Sequence, residues 1–287
     1  MKRFLLYTLC LSIFITACNK EDDFKPDNSP IPPPSQAYTG LNVQYDSKPL
    51  QTMDIYLPAG RSASITKVII LIHGGAWIEG DKADEEFAPV VDSLRKRLPD
   101  WAIFNLNYRL ALGVPLNLFP TQEDDIKKAI AYIFNKRATF NISDKWVLAG
   151  ASAGGHLALL QGYKNSTPIK PKAIVNYFGP SDMKDMEDNP GAESPGKQAI
   201  QLLCNGTEQQ SSPINFINAQ TPPTITLQGT ADQLVLPKQQ TALHAKLIAS
   251  GVSEKLELYP GEGHGFSTAT MTKSFDLVMT FLNQHVK

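Results

Sequence analysis

Lys145-Trp146-Val147-Leu148-Ala149-Gly150-Ala151-Ser152-Ala153-Gly154-Gly155-His156-Leu157-Ala158-Leu159-Leu160 decides how the rest of this chain is read. It begins as a short apolar run of strand length, passes through small residues, and continues as an apolar helical stretch. At the junction sits Gly150-x-Ser152-x-Gly154. A backbone that turns sharply from strand into helix needs neighbours without bulk, and the glycines supply that. The following helix aims its unpaired N–H groups and positive dipole end at Ser152. Such a turn suits a nucleophile. A nucleophile there requires a base, an acid and an oxyanion hole from the rest of the chain.

Outward from this stretch, strand-like and helix-like segments alternate. Leu41, Val43 and Tyr45 alternate with polar residues, as do Met53, Ile55 and Leu57, which predicts an antiparallel pair. Lys67–His73 contains a continuous apolar run of the kind buried on both faces of a parallel sheet. Helices are expected over 84–98, 123–136, 237–250 and 272–285, and further strands over 101–106, 173–177, 224–228 and 256–259. The fold class is α/β: a mostly parallel, eight-stranded sheet flanked by helices, with ligands expected at the carboxyl ends of the strands. Between Ser181 and Ala219 the alternation breaks into a long polar segment with one helical piece near Lys197–Leu203. It is too long for an ordinary connection and reads as a small cap. It has no broad apolar face, which weighs against a long-chain lipase.

The N-terminus reads differently. Lys2 and Arg3 precede an apolar run to Ala17 and then Cys18, the pattern of a secretory signal and too short for an ordinary membrane span. Thr16-Ala17-Cys18 resembles the bacterial lipoprotein signal, with residues 1–17 removed and Cys18 lipidated. Asn19-Lys20-Glu21-Asp22-Asp23 resembles the acidic export tag of Bacteroidetes lipoproteins. An outer-membrane lipoprotein, facing the periplasm or the cell surface, is the expectation. Residues 18–37 carry five prolines from Pro26 to Pro34 and read as an extended tether to a domain over 38–287.

Without Lys2 and Arg3, 25 basic residues stand against 28 acidic ones, a net charge near −3. No basic surface calls for nucleic acid. Of the three cysteines, Cys10 leaves with the signal, Cys18 is the lipid anchor and Cys204 is left as a small buried filler, so no disulfide framework is available.

A serine needs a base within hydrogen-bond reach and a group to orient that base. Of the five histidines, His285 and His244 are expected at the surface, and His156, one turn beyond Ser152, to support the turn. His73 ends a strand before Gly74-Gly75. His264 lies in the glycine-rich loop Gly261-Glu262-Gly263-His264-Gly265-Phe266 after the last strand and is the expected base. Asp232, directly after the strand ending at Gln228, is the expected acid. Asp182 competes but suits an N-cap or turn, and Glu262 lies too close to His264 along the loop. The chain order Ser152, Asp232, His264 is that of the α/β-hydrolases. His73-Gly74-Gly75-Ala76-Trp77 follows a strand and can turn its N–H groups toward the serine. No His, Cys or carboxylate cluster has ligand spacing, so neither metal nor cofactor is expected.

Together these residues resemble the α/β-hydrolase superfamily, and within it the esterase branch related to hormone-sensitive lipase. His73-Gly74-Gly75-Ala76-Trp77 is similar to that branch's oxyanion motif, with Ala76 where many members carry a third glycine. Asn107-Tyr108-Arg109-Leu110 and Gly150-Ala151-Ser152-Ala153-Gly154-Gly155 are similar to two more of its segments. The likeness covers about residues 40–287. It implies N–H donation from Gly75, Ala76 and Ala153, and a serine esterase acting on small-molecule or polysaccharide esters, short-acyl or carbohydrate-linked (acetyl or feruloyl). The rivals are an amide-cleaving member, formamidase or peptidase, and a non-catalytic binding protein on the same scaffold. The only expected link to a membrane is the lipid on Cys18, and the oligomeric state is open.

Overall fold

Val68-Ile69-Ile70-Leu71-Ile72 shows why the centre of this molecule is a sheet covered on both faces. In the computed structural model, Val68, Ile70 and Ile72 join one apolar cluster while Ile69 and Leu71 join another on the opposite face. Alternate side chains of a strand point to opposite faces, so a run without polar residues demands cover on both. The structure describes residues 29–287 except Glu86, Val114 and Ser166. The expected signal segment 1–17, Cys18 and the start of the expected tether lie outside the described residues.

The chain runs β1 (Tyr38–Gln44), β2 (Thr52–Leu57), β3 (Val68–Ile72), α1 (Ala88–Arg97), β4 (Ala102–Leu106), α2 (Thr121–Asn135), α3 (Arg137–Phe140), β5 (Trp146–Ala151), α4 (Ala153–Lys164) and β6 (Ala173–Tyr177). It continues with α5 (Met183–Asp188), α6 (Lys197–Cys204), a 3₁₀ turn (Pro213–Phe216), β7 (Thr224–Gly229), α7 (Lys238–Ala249), β8 (Glu254–Tyr259) and α8 (Thr268–His285). The sheet has eight strands in the order β1-β2-β4-β3-β5-β6-β7-β8. β1–β2 and β2–β4 pair antiparallel, and every later pair is parallel. This is the α/β-hydrolase fold. Val91 and Leu94 of α1 and Phe275, Val278 and Phe281 of α8 cover one face; Ile126 and Ile130 of α2, Leu157 of α4 and Leu243 of α7 cover the other. Each such fully buried side chain contributes about 1.5–3 kcal/mol.

Three expectations are corrected here. Leu41 does not face the core: a bulge between Gly40 and Val43, with Asn42 at φ +55°, turns it outward, and it is half exposed. The 181–219 segment holds two helices and a 3₁₀ turn rather than one helical piece. Asp182 starts α5 by accepting from the Asp185 amide at 3.0 Å, the N-cap role expected of it. Finally, the proline-rich tether docks before residue 38. The Arg61 guanidinium donates to the carbonyls of Pro32 and Gln36, both at 2.5 Å, and Arg61 Nε to that of Phe140 at 3.0 Å. A composition too polar to build a core is thus held by one arginine gathering backbone oxygens.

Candidate active site

Ser152 sits between β5 and α4 with φ +53° and ψ −122°, a conformation that costs a non-glycine residue energy. Close approach explains its glycines. A Cβ on Gly150 would stand 2.3 Å from the Gly154 carbonyl, and one on Gly154 would stand 2.1 Å from the Ile72 carbonyl oxygen. The elbow is wedged against its own helix and against the end of β3. Ser152 N–H donates to the Tyr177 carbonyl of β6 at 2.9 Å, which fixes the turn from the other side.

The turn between β7 and α7 and the loop between β8 and α8 bring two more residues to Ser152. His264 Nε2 lies 2.8 Å from Ser152 Oγ, and His264 Nδ1 lies 2.8 Å from Asp232 Oδ2. Asp232 is fully buried. Its Oδ1 accepts from the amides of Leu234 and Val235, each at 2.9 Å, and its Oδ2 from Gln228 Nε2 at 3.0 Å. Burial pushes this carboxyl's pKa up, but the hydrogen bond and charge of His264 and the Val235 and Gln228 donors outweigh it, and the net shift is downward. An ionised Asp232 only accepts. His264 therefore carries its proton on Nδ1 and presents the Nε2 lone pair to the Ser152 hydroxyl.

The loop after β3 passes directly beside the serine: a Cβ on Gly74 would be 3.3 Å from Ser152 Cβ. Gly75, Ala76 and Trp77 all have positive φ, at +98°, +49° and +64°. Among the described residues, no hydrogen bond uses the N–H of Gly75, Ala76 or Ala153. Ala153 is the first residue of α4, so its amide is also one that the helix itself leaves unpaired.

Asn107-Tyr108-Arg109 braces this loop. Tyr108 Oη donates to the carbonyls of His73 and Gly74, each at 3.1 Å, and its ring stacks on His73 at 4.4 Å. Asn107 Nδ2 donates to Asp81 at 2.5 Å and its Oδ1 accepts from the Lys82 amide at 2.7 Å. Arg109 pairs with the buried Asp125 of α2, through Nε at 2.8 Å and Nη2 at 2.6 Å. His73 is buried, and that burial lowers its pKa, so the neutral ring donates through Nδ1 to the Gly74 carbonyl at 2.8 Å.

The structure joins Ser152, His264 and Asp232 by hydrogen bonds, lines the same cleft with Gly75 and Ala76, and starts α4 with Ala153 directly after the serine; Cys18 lies outside the described residues. Asp182 stays on α5. Glu262 accepts from the amide and hydroxyl of Ser267 and from the Thr270 hydroxyl, away from His264. His244 is not a surface residue: it is buried, with Nδ1 against Glu254 of β8, because α7 packs that face onto the edge strand. Cys204 is buried, and burial raises its thiol to about 11. Tyr108 acts on a loop that only the sheet brings near, so its contacts carry no local sequence signal; Gln228 lies just four residues from Asp232, but a glutamine ending a strand gives no sign of that bond. Among the described residues, no three His, Cys, Asp or Glu side chains are grouped as metal ligands, and no helix is long and apolar enough to cross a membrane.

A cleft of about 830 Å³ opens at the serine. One end is lined by Ser152, His264 and Gly74–Ala76; the rest runs over Leu71, Ala149 and Val175 of the sheet, between Val90 and Leu94 of α1 and Phe275 and Val278 of α8. None of the described residues of 181–219 lines it. That segment packs instead on α4, through the 3₁₀ turn, and on α7, where Gln239 accepts from the Ser181 and Asp182 amides.

Residues 53–247, which include the oxyanion-type loop, the elbow and Asp232, match the family model described as BD-FAE. The chain belongs to the BD-FAE family. Esterase LipC of Mycobacterium tuberculosis is 26% identical over 84% of this chain, which spans only 64% of LipC. A kynurenine formamidase of Meyerozyma guilliermondii is 30% identical, covering 72% of this chain and 79% of its own. Among solved structures, a truncated carbohydrate esterase from gut microbiota superposes with a TM-score of 0.72 at 25% identity, over 90% of this chain and all of that one. His264 of this BD-FAE chain lies beyond the matched stretch, so its place beside Ser152 rests on the tertiary geometry.

Proposed function

We propose that the protein hydrolyses carboxylic esters in two steps, through an acyl-enzyme on Ser152. The observation that carries this reading is the unbroken hydrogen-bonded line from Ser152 Oγ through His264 to Asp232. Ser152 attacks the ester carbonyl while His264 Nε2 takes its proton, and Asp232 holds the ring and stabilises its positive charge. The Gly75, Ala76 and Ala153 amides receive the oxyanion. His264 returns the proton to the departing alcohol, then activates the water that releases the acid. The likeness to esterases supports ester cleavage.

The substrate reading is a carbohydrate-linked ester, acetyl or feruloyl, supported by the likeness to a carbohydrate esterase. The cleft has the volume of a site for a drug-sized ligand, about 300–1,000 Å³, and apolar side chains of the sheet, α1 and α8 line much of it beside the carboxylates Glu79, Asp81, Asp84 and Glu85. Of the two acyl groups, this favours the larger. The 30% identity to a formamidase supports amide cleavage by the same residues as a second reading. We further propose that Cys18 is lipidated and anchors the protein in the outer membrane, from the signal pattern at 1–18.

The test is release of 4-nitrophenol from its acetate, followed by a panel of acetylated xylans, feruloylated sugars and N-formyl amides. Equal rates for wild type and Ser152→Ala would sink the mechanism, and preference for the formyl amide would establish the second reading. Metabolic labelling with palmitate, lost in Cys18→Ser, checks the anchor.

A further inference from the structure

The oxyanion-type loop is held in a costly shape. Ala76 and Trp77 are non-glycine residues with φ +49° and +64°, and each such residue costs on the order of 1–3 kcal/mol, persisting only where its surroundings over-determine it. Tyr108 fixes the start of the loop. Its end is fixed at Trp77, whose carbonyl accepts from the Ala111 amide at 2.7 Å and whose indole Nε1–H donates to His156 Nδ1 at 3.3 Å. The two rings meet edge to face, with centroids 5.1 Å apart.

An indole N–H only donates, so His156 Nδ1 presents its lone pair to Trp77. The ring proton is then on Nε2, which donates to the Ser211 carbonyl at 2.7 Å. Both ring nitrogens are used and the tautomer is determined. His156 is buried, and burial above all lowers its pKa to about 4, so the ring is neutral near pH 7. Lysine has no acceptor and aspartate no donor for this place.

We propose that His156 is a positioning residue for the reaction: through Trp77 it sets the Gly75-Ala76 amides against Ser152 and Ala153, and through the Ser211 carbonyl it ties that arrangement to the 181–219 segment. The two halves of the oxyanion hole lie on different elements, the loop after β3 and the start of α4. His156 stands on α4, one turn from Ser152 and Ala153, and bonds the loop side chain next to Ala76. It therefore fixes the spacing between the halves. The inference rests on the ester-cleaving reading above.

The test compares wild type, His156→Leu, His156→Gln and Trp77→Phe on 4-nitrophenyl acetate, with thermal melts alongside. His156→Leu lowers kcat by about 10- to 100-fold with KM nearly unchanged, less than the roughly 10²–10³-fold loss of an oxyanion donor itself. Trp77→Phe, which removes the N–H together with the pyrrole part of the indole, lowers kcat similarly, and the double variant falls no further than the single ones. His156→Gln, whose amide offers one acceptor and one donor, recovers most of kcat. Binding of a trifluoromethyl ketone, which forms a tetrahedral oxyanion on a serine, weakens in step with kcat. Unchanged kcat in Trp77→Phe and in folded His156→Leu overturns the proposal, even if the melting temperatures fall. Should His156→Leu not fold, Trp77→Phe and His156→Gln decide. Wild type inert to every ester overturns the ester reading and this one together; active wild type with unaffected variants overturns this one alone.

Discussion

Ser152 Oγ and His264 Nε2 are 2.8 Å apart although 112 residues separate them in the chain. If that contact performs the chemistry, Ser152→Ala retains the wild-type melting temperature within a few degrees and loses roughly 10⁵-fold or more in kcat/KM. The comparison is by ester hydrolysis rate and circular dichroism melt on the same preparations. An active Ser152→Ala protein would remove Ser152 from the reaction.

Asp232 and Asp182 separate cleanly. Asp232→Asn keeps the size of the side chain but not its acceptor-only character, so His264 loses its preferred tautomer; kcat falls by about 10⁴. Asp182→Ala removes the cap of α5 and costs about 1 kcal/mol of stability, with kcat unchanged. Denaturant melts and steady-state kinetics on both variants test the assignment; a kcat loss confined to the Asp182 variant would reverse it.

Ala76 offers a test of backbone donation. Its positive φ suits glycine better than alanine, and the side chain plays no part in donating the amide proton. Ala76→Gly keeps kcat within about 3-fold and raises stability by up to about 1 kcal/mol. A large kcat loss would mean that the methyl group, rather than the amide, matters there.

Gly154→Ala has the opposite outcome. Its methyl would lie 2.1 Å from the Ile72 carbonyl oxygen, a backbone atom that cannot swing aside. The elbow has to shift away from β3, costing about 1–3 kcal/mol, and the displaced Ser152 loses most of its rate. A fully active, fully stable Gly154→Ala protein would contradict the wedge between β3 and α4.

His156 also predicts a pH dependence. Its folded pKa is depressed to about 4 from an ordinary value near 6.5, so the unfolded chain binds the extra proton first on acidification. The stability it contributes is complete above about pH 6.5 and is lost as the pH falls toward 4, on the order of 3 kcal/mol in total. Buried His73 and His244 shift in the same direction. The readout is therefore the difference between wild type and His156→Gln, whose denaturation midpoints converge as the pH drops from 7 to 4. A gap that stays constant over that range would refute the buried neutral ring.

The sequence by itself determined most of the frame. Continuous apolar runs such as Val68–Ile72 can be satisfied only by a sheet covered on both faces, and amphipathic stretches such as Ile126–Ile133 supply the cover. It also determined the candidates, because glycines around Ser152 and after His73 mark turns that few other backbones need. Element ends were legible less well: Asp182 reads as a cap from its residue type, but the bulge at Asn42 depends on local backbone geometry rather than periodicity. Tertiary structure alone decided which groups meet. His264 reaches Ser152, Tyr108 reaches the Gly74 carbonyl and Trp77 reaches His156 only because parallel strands deliver their carboxyl ends to one edge of the sheet. It also decided that His244 is buried and that Arg61 gathers the proline-rich segment. A side chain's partners follow from where distant backbone is brought, and hydropathy pattern carries no record of that.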